Sequence, residues 1–280
     1  MPTDQLVRTN KKLVSFFKPQ PFINYNAGQF TVKLARTETE IEHTLKLRYK
    51  VFNLELNEGL ASSHATGKDE DIYDSQCDHL IIQDNITHQI VGTYRLQTQQ
   101  MAENGTGFYS ASEFQLSMLG NRILRNSLEL GRACVLNEYR NTRVLFLLWK
   151  GIAEYMLTGR KRYLFGCCSL NSTNSDTGNS LYHHLLVNNH IDHRFALDPQ
   201  PGYGLETLNS MESPEETMPP LMRMYFRYGG KIIGKPAIDR EFGTIDYFML
   251  LDTYKLSAAN SELFFGRKQV KFHRVGFPYR

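Results

Sequence analysis

A short acidic run in the first third of the chain has the residue types to bind a cation. Asp71, Asp74 and Asp78 follow one another closely, with Tyr73 and Cys77 between them. Carboxylates at this spacing can converge on one edge of a pocket and bind the ammonium group of a small amine. A solvated acidic loop and a divalent-cation site are alternatives, although the glycine and terminal glutamate of an EF-hand are missing.

A second candidate group consists of Glu129 and Arg132, which flank Gly131 in the segment SLELGRACV. An isolated glycine in a strand suggests a β-bulge, where splayed backbone N–H groups can face a ligand. A glutamate beside such a bulge could accept a proton from a reacting amine. The alternative is a buried structural ion pair of Glu129 with Arg132 or Arg95, and the residues leave both interpretations open.

A third group has the features of an anion site. The mostly apolar segment that begins at Asn141 predicts a helix packed on a sheet. Its first turn would present free backbone N–H groups and the positive end of the helix dipole, with Arg140 and Arg143 beside it. This arrangement predicts a phosphate site. Lys150 and the basic residues 160–162 could extend it into a docking patch for an acidic protein.

The elements that must position these residues alternate between strand-like and helical patterns. Strands are predicted at 30–35, 79–84, 89–98, 127–135, 163–170 and 244–252, and helices at 37–56, at 141–159 and from 180 onward. Thr37 and Glu40 have the spacing of a capping box at the start of the first helix. The polar segment 171–179 is typical of a loop. This order predicts a mixed α+β layer protein.

The composition limits the class of protein. The 280 residues carry 32 basic and 29 acidic side chains, and a net charge of +3 does not indicate a nucleic-acid partner. No apolar stretch is long enough to cross a bilayer, so we expect a cytoplasmic protein. The four cysteines include no CxxC pair and the histidines form no HExxH pattern, so we expect neither a disulfide framework nor a metal site.

Six segments, in fixed order, resemble the hemolysin-like N-acyltransferases, a group that includes the ornithine acyltransferases and is related to the acyl-homoserine-lactone synthases. The segments are LRYKVF (Leu47 to Phe52), DEDIYDSQCDHLII (Asp69 to Ile82), VGTYRL (Val91 to Leu96), LELGRACV (Leu128 to Val135), YRNTRVLFLLWKGIAEY (Tyr139 to Tyr155) and LFGCCSL (Leu164 to Leu170). A further segment, PAIDREFGTIDYF (Pro236 to Phe248), resembles the same group. The resemblance implies an α+β GNAT fold with a central mixed, mostly antiparallel sheet flanked by helices and followed by a C-terminal extension.

The resemblance also implies a reaction and its residues. A long-chain or 3-hydroxy fatty acyl group would pass from the phosphopantetheine thioester of acyl-carrier protein to the α-amine of an amino acid, ornithine before others, without a bound cofactor. The implied catalytic residues are Glu129, Arg132 and Tyr182, and the implied acceptor-binding residues are Arg48, Asp71, Asp74 and Arg95. The implied donor-binding residues are Cys134, Val135, Arg140, Asn141, Thr142, Arg143, Val144 and Leu145.

The sequence departs from GNAT acetyltransferases at the turn that usually binds pyrophosphate. The usual pattern is Q/R-x-x-G-x-G/A, but Arg143 and Leu145 occupy the two glycine positions. Bulky residues there favour a protein-borne phosphopantetheine over free coenzyme A, which stays an alternative donor.

Several alternatives stay open for the function and the organisation of the chain. The acceptor could be glycine or another amino acid, the product could be a lactone signal, or the chain could be a non-catalytic shell that binds an acyl carrier or a membrane. We expect a polar segment at 1–29, an acyltransferase core at 30–200 and a C-terminal extension at 201–280. The tail from Arg267 to Arg280 mixes aromatic and basic residues, which is typical of a peripheral membrane contact and of a packed terminus.

Overall fold

Strands from both halves of the chain join in one sheet. The computed structural model describes residues 22–140, 142–206 and 218–266, with only the backbone at Thr142. Its strands are β1 (Asn24–Ala27), β2 (Phe30–Leu34), β3 (Asp78–Asp84), β4 (Ile90–Thr98), β5 (Ser127–Val135), β6 (Tyr163–Leu170), β7 (Lys231–Ile232), β8 (Ala237–Asp239) and β9 (Thr244–Asp252). Its α-helices are α1 (Glu38–Tyr49), α2 (Ser63–Thr66), α3 (Gln99–Asn104), α4 (Asn121–Arg125), α5 (Thr142–Thr158), α6 (Ser175–Val187), α7 (Pro220–Arg227) and α8 (Ala258–Phe265).

The sheet is mixed and mostly antiparallel, as predicted. The strand order is β1-β2-β3-β4-β5-β6-β9-β7, and β8 also pairs with β9. The pairing of β5 with β6 is parallel, whereas the other pairings in the described residues are antiparallel. Strands β7 to β9 follow residue 200 in the chain and extend the same sheet, so the last third of the chain contributes directly to the core.

The first helix begins at the predicted capping box. The backbone N–H of Glu40 donates to Thr37 Oγ1 at 3.2 Å, and that of Thr37 donates to Glu40 Oε2 at 3.1 Å. Both donors would otherwise lack a partner, because the first turn of a helix has no preceding carbonyls. After α1 the chain continues as a π-helix at Lys50–Glu55, so the predicted helix changes its hydrogen-bond pattern half-way.

Helix α5 covers one face of the sheet. A Cβ atom on Gly151 would lie 2.8 Å from Leu80 and 3.1 Å from Val32, so the glycine allows the helix to approach β2 and β3 closely. Because side chains alternate along a strand, the residues next to Leu80 and Tyr94 point to the opposite face. His79 and Arg95 are paired across β3 and β4 on that second face, which is where the charged residues gather.

One sequence-based boundary is wrong. The segment 171–179 was expected to be a loop, but α6 already begins at Ser175. The side chain of Asn174 accepts hydrogen bonds from the backbone N–H groups of Asp176 and Thr177, at 2.8 and 3.1 Å, and so caps the helix. Polar residues that look like a loop in the sequence therefore form a helix cap and its first turn.

Some predicted features lie outside the described residues. These are residues 1–21 of the polar N-terminal segment, Asn141, the side chain of Thr142, and the tail from Arg267 to Arg280. Among the helices that the structure describes, none combines the length and the apolar character that crossing a membrane would require.

Candidate active site

The predicted arginines and two of the three predicted aspartates meet in one buried ionic network on the second face of β3, β4 and β5, whereas Asp78 accepts a hydrogen bond from Tyr155 of α5 instead. Its members are Arg48, Asp69, Asp71, Asp74, Arg95 and Arg132. Arg48 extends from α1, the aspartates come from the acidic loop before β3, and the other two arginines come from β4 and β5. The network thus connects segments that are far apart in the sequence.

Arg48 lies at the fully buried end of the network. Its Nε donates to Asp69 Oδ2 at 2.7 Å, while its two terminal nitrogens donate to the oxygens of Asp74 at 2.5 and 3.1 Å. Burial alone would raise the pKa of Asp74, but the guanidiniums of Arg48 and Arg95 hold it well below its usual range. Asp74 is therefore ionised, and its charge is balanced inside the protein.

Asp71 lies between two other arginines. Arg95 Nη1 donates to both of its carboxylate oxygens, at 2.6 and 2.7 Å, and Arg132 Nη2 donates to Oδ2 at 3.0 Å. These guanidiniums outweigh the effect of burial and lower the pKa of Asp71. The two aspartates that were expected to bind an ammonium group therefore already face guanidinium groups of the protein.

The predicted bulge in β5 is present and directs Arg132 into the network. Arg95 pairs with Gly131, but Thr93 pairs with Cys134, so β5 has one more residue than β4 over this stretch. Arg132 has a backbone φ of 49°, a left-handed conformation that residues other than glycine rarely adopt. Backbone strain of this kind often occurs where a side chain has to be directed at a functional site.

Glu129 does not pair with either arginine that the sequence offered. It accepts hydrogen bonds from the backbone N–H groups of Tyr109 and Ser110, at 3.1 and 2.8 Å, and from Ser110 Oγ at 2.6 Å. Burial raises the pKa of Glu129, and the hydrogen bonds from Ser110 partly oppose that rise. Glu129 thus holds the loop that contains Tyr109 and Ser110 against the sheet.

Tyr109 lies at the boundary between the network and a second group of acids. Its ring is 5.5 Å from the guanidinium carbon of Arg95 and 5.0 Å from that of Arg132, which are cation–π distances. Its hydroxyl donates to Asp239 Oδ2 at 3.0 Å. Tyr109 therefore contacts β4 and β5 with its ring and the end of β8 with its hydroxyl.

The second group of acids was not predicted from the sequence. Glu113, Cys167 and Asp246 each offer a ligand atom, and these atoms lie within 4.8 Å of one another. We call these three residues the acidic cluster. Cys167 and Asp246 come from β6 and β9, while Glu113 follows the loop that Glu129 holds. The segment PAIDREFGTIDYF contains Asp246, but Glu113 lies in a stretch with no recognisable pattern.

The acidic cluster forms no ion pair in the described part of the chain, although the charge of Arg132 acts on Asp246 and partly opposes the rise in its pKa. Among the described residues, no lysine, arginine or histidine forms an ion pair with Glu113 or Asp246. Burial, together with the neighbouring Asp246 and Asp239, raises the pKa of Glu113 well above its usual range. Burial also raises the pKa of Asp246, and that of the Cys167 thiol. The two carboxyl groups therefore share protons at a pH where Asp71 and Asp74 are fully ionised.

The sheet opens beside these groups, between β5 and β6. These strands pair only from Ser127 with Tyr163 to Glu129 with Phe165. Beyond that point β5 follows β4, while β6 follows β9. At the branch, a Cβ atom on Gly166 would lie 2.2 Å from the carbonyl oxygen of Leu130, so only glycine fits there. An opening between two parallel strands can present backbone hydrogen-bonding groups to an extended ligand.

The predicted donor-binding cations lie on either side of the start of α5. Arg140 Nε donates to the carbonyl oxygen of Val135 at 3.0 Å, and its guanidinium also pairs with Glu55. Arg143 instead donates to the carbonyl oxygen of Ala27 at 3.3 Å, at the turn between β1 and β2. The two side chains therefore extend toward different neighbours.

The other residues predicted to bind the acyl donor, and the predicted acid Tyr182, pack mainly against apolar side chains. Val144 is buried and packs against Gly92, where an added Cβ atom would lie 3.0 Å from it. Cys134 is buried in β5, and Leu145 is half-buried against the core. Tyr182 is half-buried on α6, where burial raises the pKa of its hydroxyl.

Comparisons with known proteins show the family of the chain. A family model described as an acetyltransferase (GNAT) domain matches residues 47–150, which include the end of α1, the acidic loop, β3 to β5 and the first half of α5. The L-ornithine N(alpha)-acyltransferase of Agrobacterium fabrum is 34% identical over 243 residues, covering 80% of this chain and 81% of that protein. The chain belongs to the L-ornithine N(alpha)-acyltransferase family. As a member of this family it is an acyltransferase, and a GNAT domain takes its acyl group from a thioester.

One solved structure with little sequence identity shares the fold. An N-acyl amino acid synthase from uncultured soil microbes has a TM-score of 0.50 and 9% identity, over 82% of this chain and 95% of that chain. The acyl-homoserine-lactone synthase LasI has a TM-score of 0.46 and 12% identity, over 86% and 96% of the two chains. The GNAT fold inferred for this member of the L-ornithine N(alpha)-acyltransferase family from its sequence segments is confirmed.

Proposed function

We propose that this acyltransferase transfers a fatty acyl group from acyl-carrier protein to the α-amine of ornithine, a step of lipid biosynthesis. The observation that carries the proposal is the 34% identity to an L-ornithine N(alpha)-acyltransferase over 80% of the chain. The open edge between β5 and β6 supports it, because an extended phosphopantetheine arm needs unpaired backbone of this kind.

The reaction is an aminolysis. The amine nitrogen attacks the thioester carbonyl carbon, an N–C bond forms, the C–S bond breaks, and the amine loses a proton while the thiolate gains one. We assign the first proton transfer to Glu129, whose raised pKa brings its basicity closer to neutral pH. Tyr182 is the proposed donor to the leaving thiolate. Backbone N–H groups at the bulge beside Gly131 would stabilise the oxyanion.

The acceptor carboxylate has two candidate partners in the ionic network. Arg95 Nη2 is buried and has no hydrogen-bond partner among the described atoms, whereas Arg132 Nε lies 3.3 Å from Asp69 Oδ2 in an ion pair without a hydrogen bond. A guanidinium with spare donor capacity suits a planar carboxylate. In this proposal Arg48, Asp71 and Asp74 are positioning residues, because they hold the two arginines in place.

The donor is proposed to be acyl-carrier protein rather than coenzyme A. Arg143 and Leu145 replace the small residues of the usual pyrophosphate turn. Arg140, Arg143 and Lys150 would contact the acidic carrier. A peripheral membrane contact through the tail from Arg267 to Arg280 is a further part of the proposal, since the product is a lipid.

The test is an acylation assay with the purified full chain. Fatty acyl groups would be supplied on acyl-carrier protein or on coenzyme A, with ornithine, glycine and homoserine lactone precursors as acceptors, and products identified by mass spectrometry. We expect acyl-ornithine as the main product and faster turnover with the carrier protein. Preferential acylation of another acceptor would overturn the ornithine assignment, and equal use of coenzyme A would overturn the donor assignment.

The variant Glu129→Gln tests the general base. Glutamine keeps the size of the side chain and one acceptor oxygen for the Ser110 N–H, but it cannot take a proton. Turnover should fall by about 10² to 10⁴ fold, and higher pH should partly restore it by supplying neutral amine. The exposed Glu103, changed to glutamine, is the control. If Glu129→Gln lowers only the melting temperature and each folded molecule keeps normal turnover, Glu129 is structural.

A further inference from the structure

Arg132 lies at the most exposed end of the ionic network. Its side chain is 7% exposed, compared with 3% for Arg95 and 0% for Arg48. The backbone around it is also more accessible, because residues 131–133 are half-buried whereas the residues on either side of them in β5 are buried. Among the three arginines of the network, Arg132 is therefore the one that a ligand at the opening beside β5 would reach first.

Two aromatic rings contact the guanidinium of Arg132. Its central carbon lies 5.0 Å from the ring centre of Tyr109 and 4.5 Å from that of Phe242, and both are cation–π distances. We call Tyr109 and Phe242 the aromatic pair. In the part of the chain that the structure describes, the same guanidinium donates one hydrogen bond, from Nη2 to Asp71 Oδ2 at 3.0 Å. The aromatic pair thus provides much of the contact that fixes this side chain.

One carboxyl group holds both members of the aromatic pair. Asp239 Oδ2 accepts from the Tyr109 hydroxyl at 3.0 Å, and Asp239 Oδ1 accepts from the backbone N–H of Phe242 at 2.8 Å. Each ring also meets a second ring edge to face, with centres 5.5 Å apart for Tyr109 and Tyr73 and 5.8 Å apart for Phe242 and Phe52. The two rings are therefore held in place by contacts that do not involve Arg132.

The conformation of Arg132 requires such support. Its backbone φ of 49° is unfavourable for a residue with a side chain, and it persists only where the surrounding contacts impose it. A long arginine side chain also loses rotamer freedom when it is fixed. An aromatic ring contacts the flat face of a guanidinium and uses none of its N–H donors, which lie in the plane. The aromatic pair can therefore fix Arg132 and leave donors available for a carboxylate.

We propose that Tyr109 and Phe242 are positioning residues, which hold the guanidinium of Arg132 in the orientation that receives the carboxylate of the acceptor. This inference rests on the proposed function, in which Arg132 is a partner of that carboxylate. Phe242 and Asp239 lie beyond residues 47–150, which match the GNAT family model. The last third of the chain would thus contribute to acceptor binding as well as to the sheet.

The kinetic test measures KM for the acceptor and kcat separately, at saturating acyl donor, with ornithine or the amino acid that the acylation assay identifies. Tyr109→Leu and Phe242→Leu each remove one ring from Arg132. In each variant KM should rise by about 10 fold, while kcat per folded molecule stays within about twofold of the wild type. Tyr109→Phe keeps the ring and should raise KM less than Tyr109→Leu does.

Tyr254→Leu is the matched control for the loss of a ring. The ring of Tyr254 lies 4.6 Å from the guanidinium carbon of Arg162, outside the proposed site. Its KM for the acceptor should equal that of the wild type. A purely structural role of the aromatic pair would lower the melting temperature and the folded fraction of the leucine variants, with KM unchanged in the molecules that are folded.

Nuclear magnetic resonance separates this inference from the proposed function. A proton close to an aromatic ring has a displaced signal, so the Nε–H signal of Arg132, identified by its absence in Arg132→Lys, should be displaced in the wild type. In Tyr109→Leu and Phe242→Leu it should move back toward the usual position. If the wild type acylates no amino acid, the proposed function fails, but this pattern of signals would still support the positioning of Arg132. An undisplaced wild-type signal, or an unchanged KM in both folded leucine variants, would overturn the inference.

Discussion

Two groups of buried carboxyl groups lie on the same face of the sheet, and they differ in their partners. In the ionic network over β3 to β5, three aspartates face three arginines at distances of 2.5 to 3.3 Å. In the acidic cluster over β6 and β9, Glu113 and Asp246 have no cationic partner among the described residues. The network therefore balances its charges by ion pairs, whereas the two carboxyl groups of the cluster avoid ionisation by sharing protons. The comparison separates buried carboxylates that are paired with cations from buried carboxyl groups that stay protonated.

The largest expected effect on stability is from removing Arg48, the most deeply buried cation of the network. Arg48→Met leaves Asp69 and Asp74 buried with fewer partners, which should lower the free energy of unfolding by about 3 to 5 kcal/mol. Arg162→Met is the matched control, because Arg162 also forms a bidentate pair, with Asp252, but 37% of its side chain is exposed. That variant should lose less than about 1 kcal/mol. Urea unfolding followed by circular dichroism measures both, and equal losses would contradict the assigned difference.

A smaller effect on stability should distinguish the ionic network from the acidic cluster when an aspartate of each is changed to asparagine. Asp74→Asn removes an ionised partner of Arg48 and Arg95, so it should lower the free energy of unfolding by about 3 kcal/mol. Asp246→Asn removes a carboxyl group that forms no ion pair among the described residues, so the change in the free energy of unfolding should stay within about 1 kcal/mol in either direction. The comparison fails if Asp246→Asn is as damaging as Asp74→Asn in the same unfolding assay.

The smallest effect is a difference in pH dependence, with opposite signs. Asp74 has a lowered pKa in the folded state. Its contribution to the free energy of unfolding is therefore present above its unfolded pKa and is lost as the pH falls toward the folded pKa. Asp246 and Glu113 have raised pKa values, so their contribution is present at acid pH and is lost as the pH rises through the folded pKa. The charged or titratable groups around the pair are Glu58, Tyr109, Arg132, Cys167 and Asp239.

Melting temperatures between about pH 3 and pH 8 measure this difference, because the contribution of Asp74 changes below its unfolded pKa of about 4. As the pH rises, the melting temperature of Asp246→Asn should increase relative to that of the wild type. The melting temperature of Asp74→Asn should decrease relative to that of the wild type. Parallel pH curves for the two variants would show that the two groups are electrostatically alike.

Local patterns in the sequence were sufficient to predict most of the larger helices and strands. The strands 127–135, 163–170 and 244–252 have the predicted bounds, and the Thr37–Glu40 capping box and the bulge after Gly131 are present. These features depend on residues that are neighbours in the chain. The start of α6 was missed because Asn174 looks like a loop residue until its cap contacts are known.

The sequence by itself determined the residue types and the segments that resemble the family. It also identified two candidate groups, the acidic run and the pair Glu129 and Arg132. Only the tertiary structure decided which charges are paired. Asp71 and Asp74 meet arginines from α1, β4 and β5, while Glu113 and Asp246, separated by more than a hundred residues, meet each other without a cation. The physical reason is that ion pairing depends on distances of a few ångströms between elements, and these distances are set by sheet pairing and register rather than by spacing along the chain.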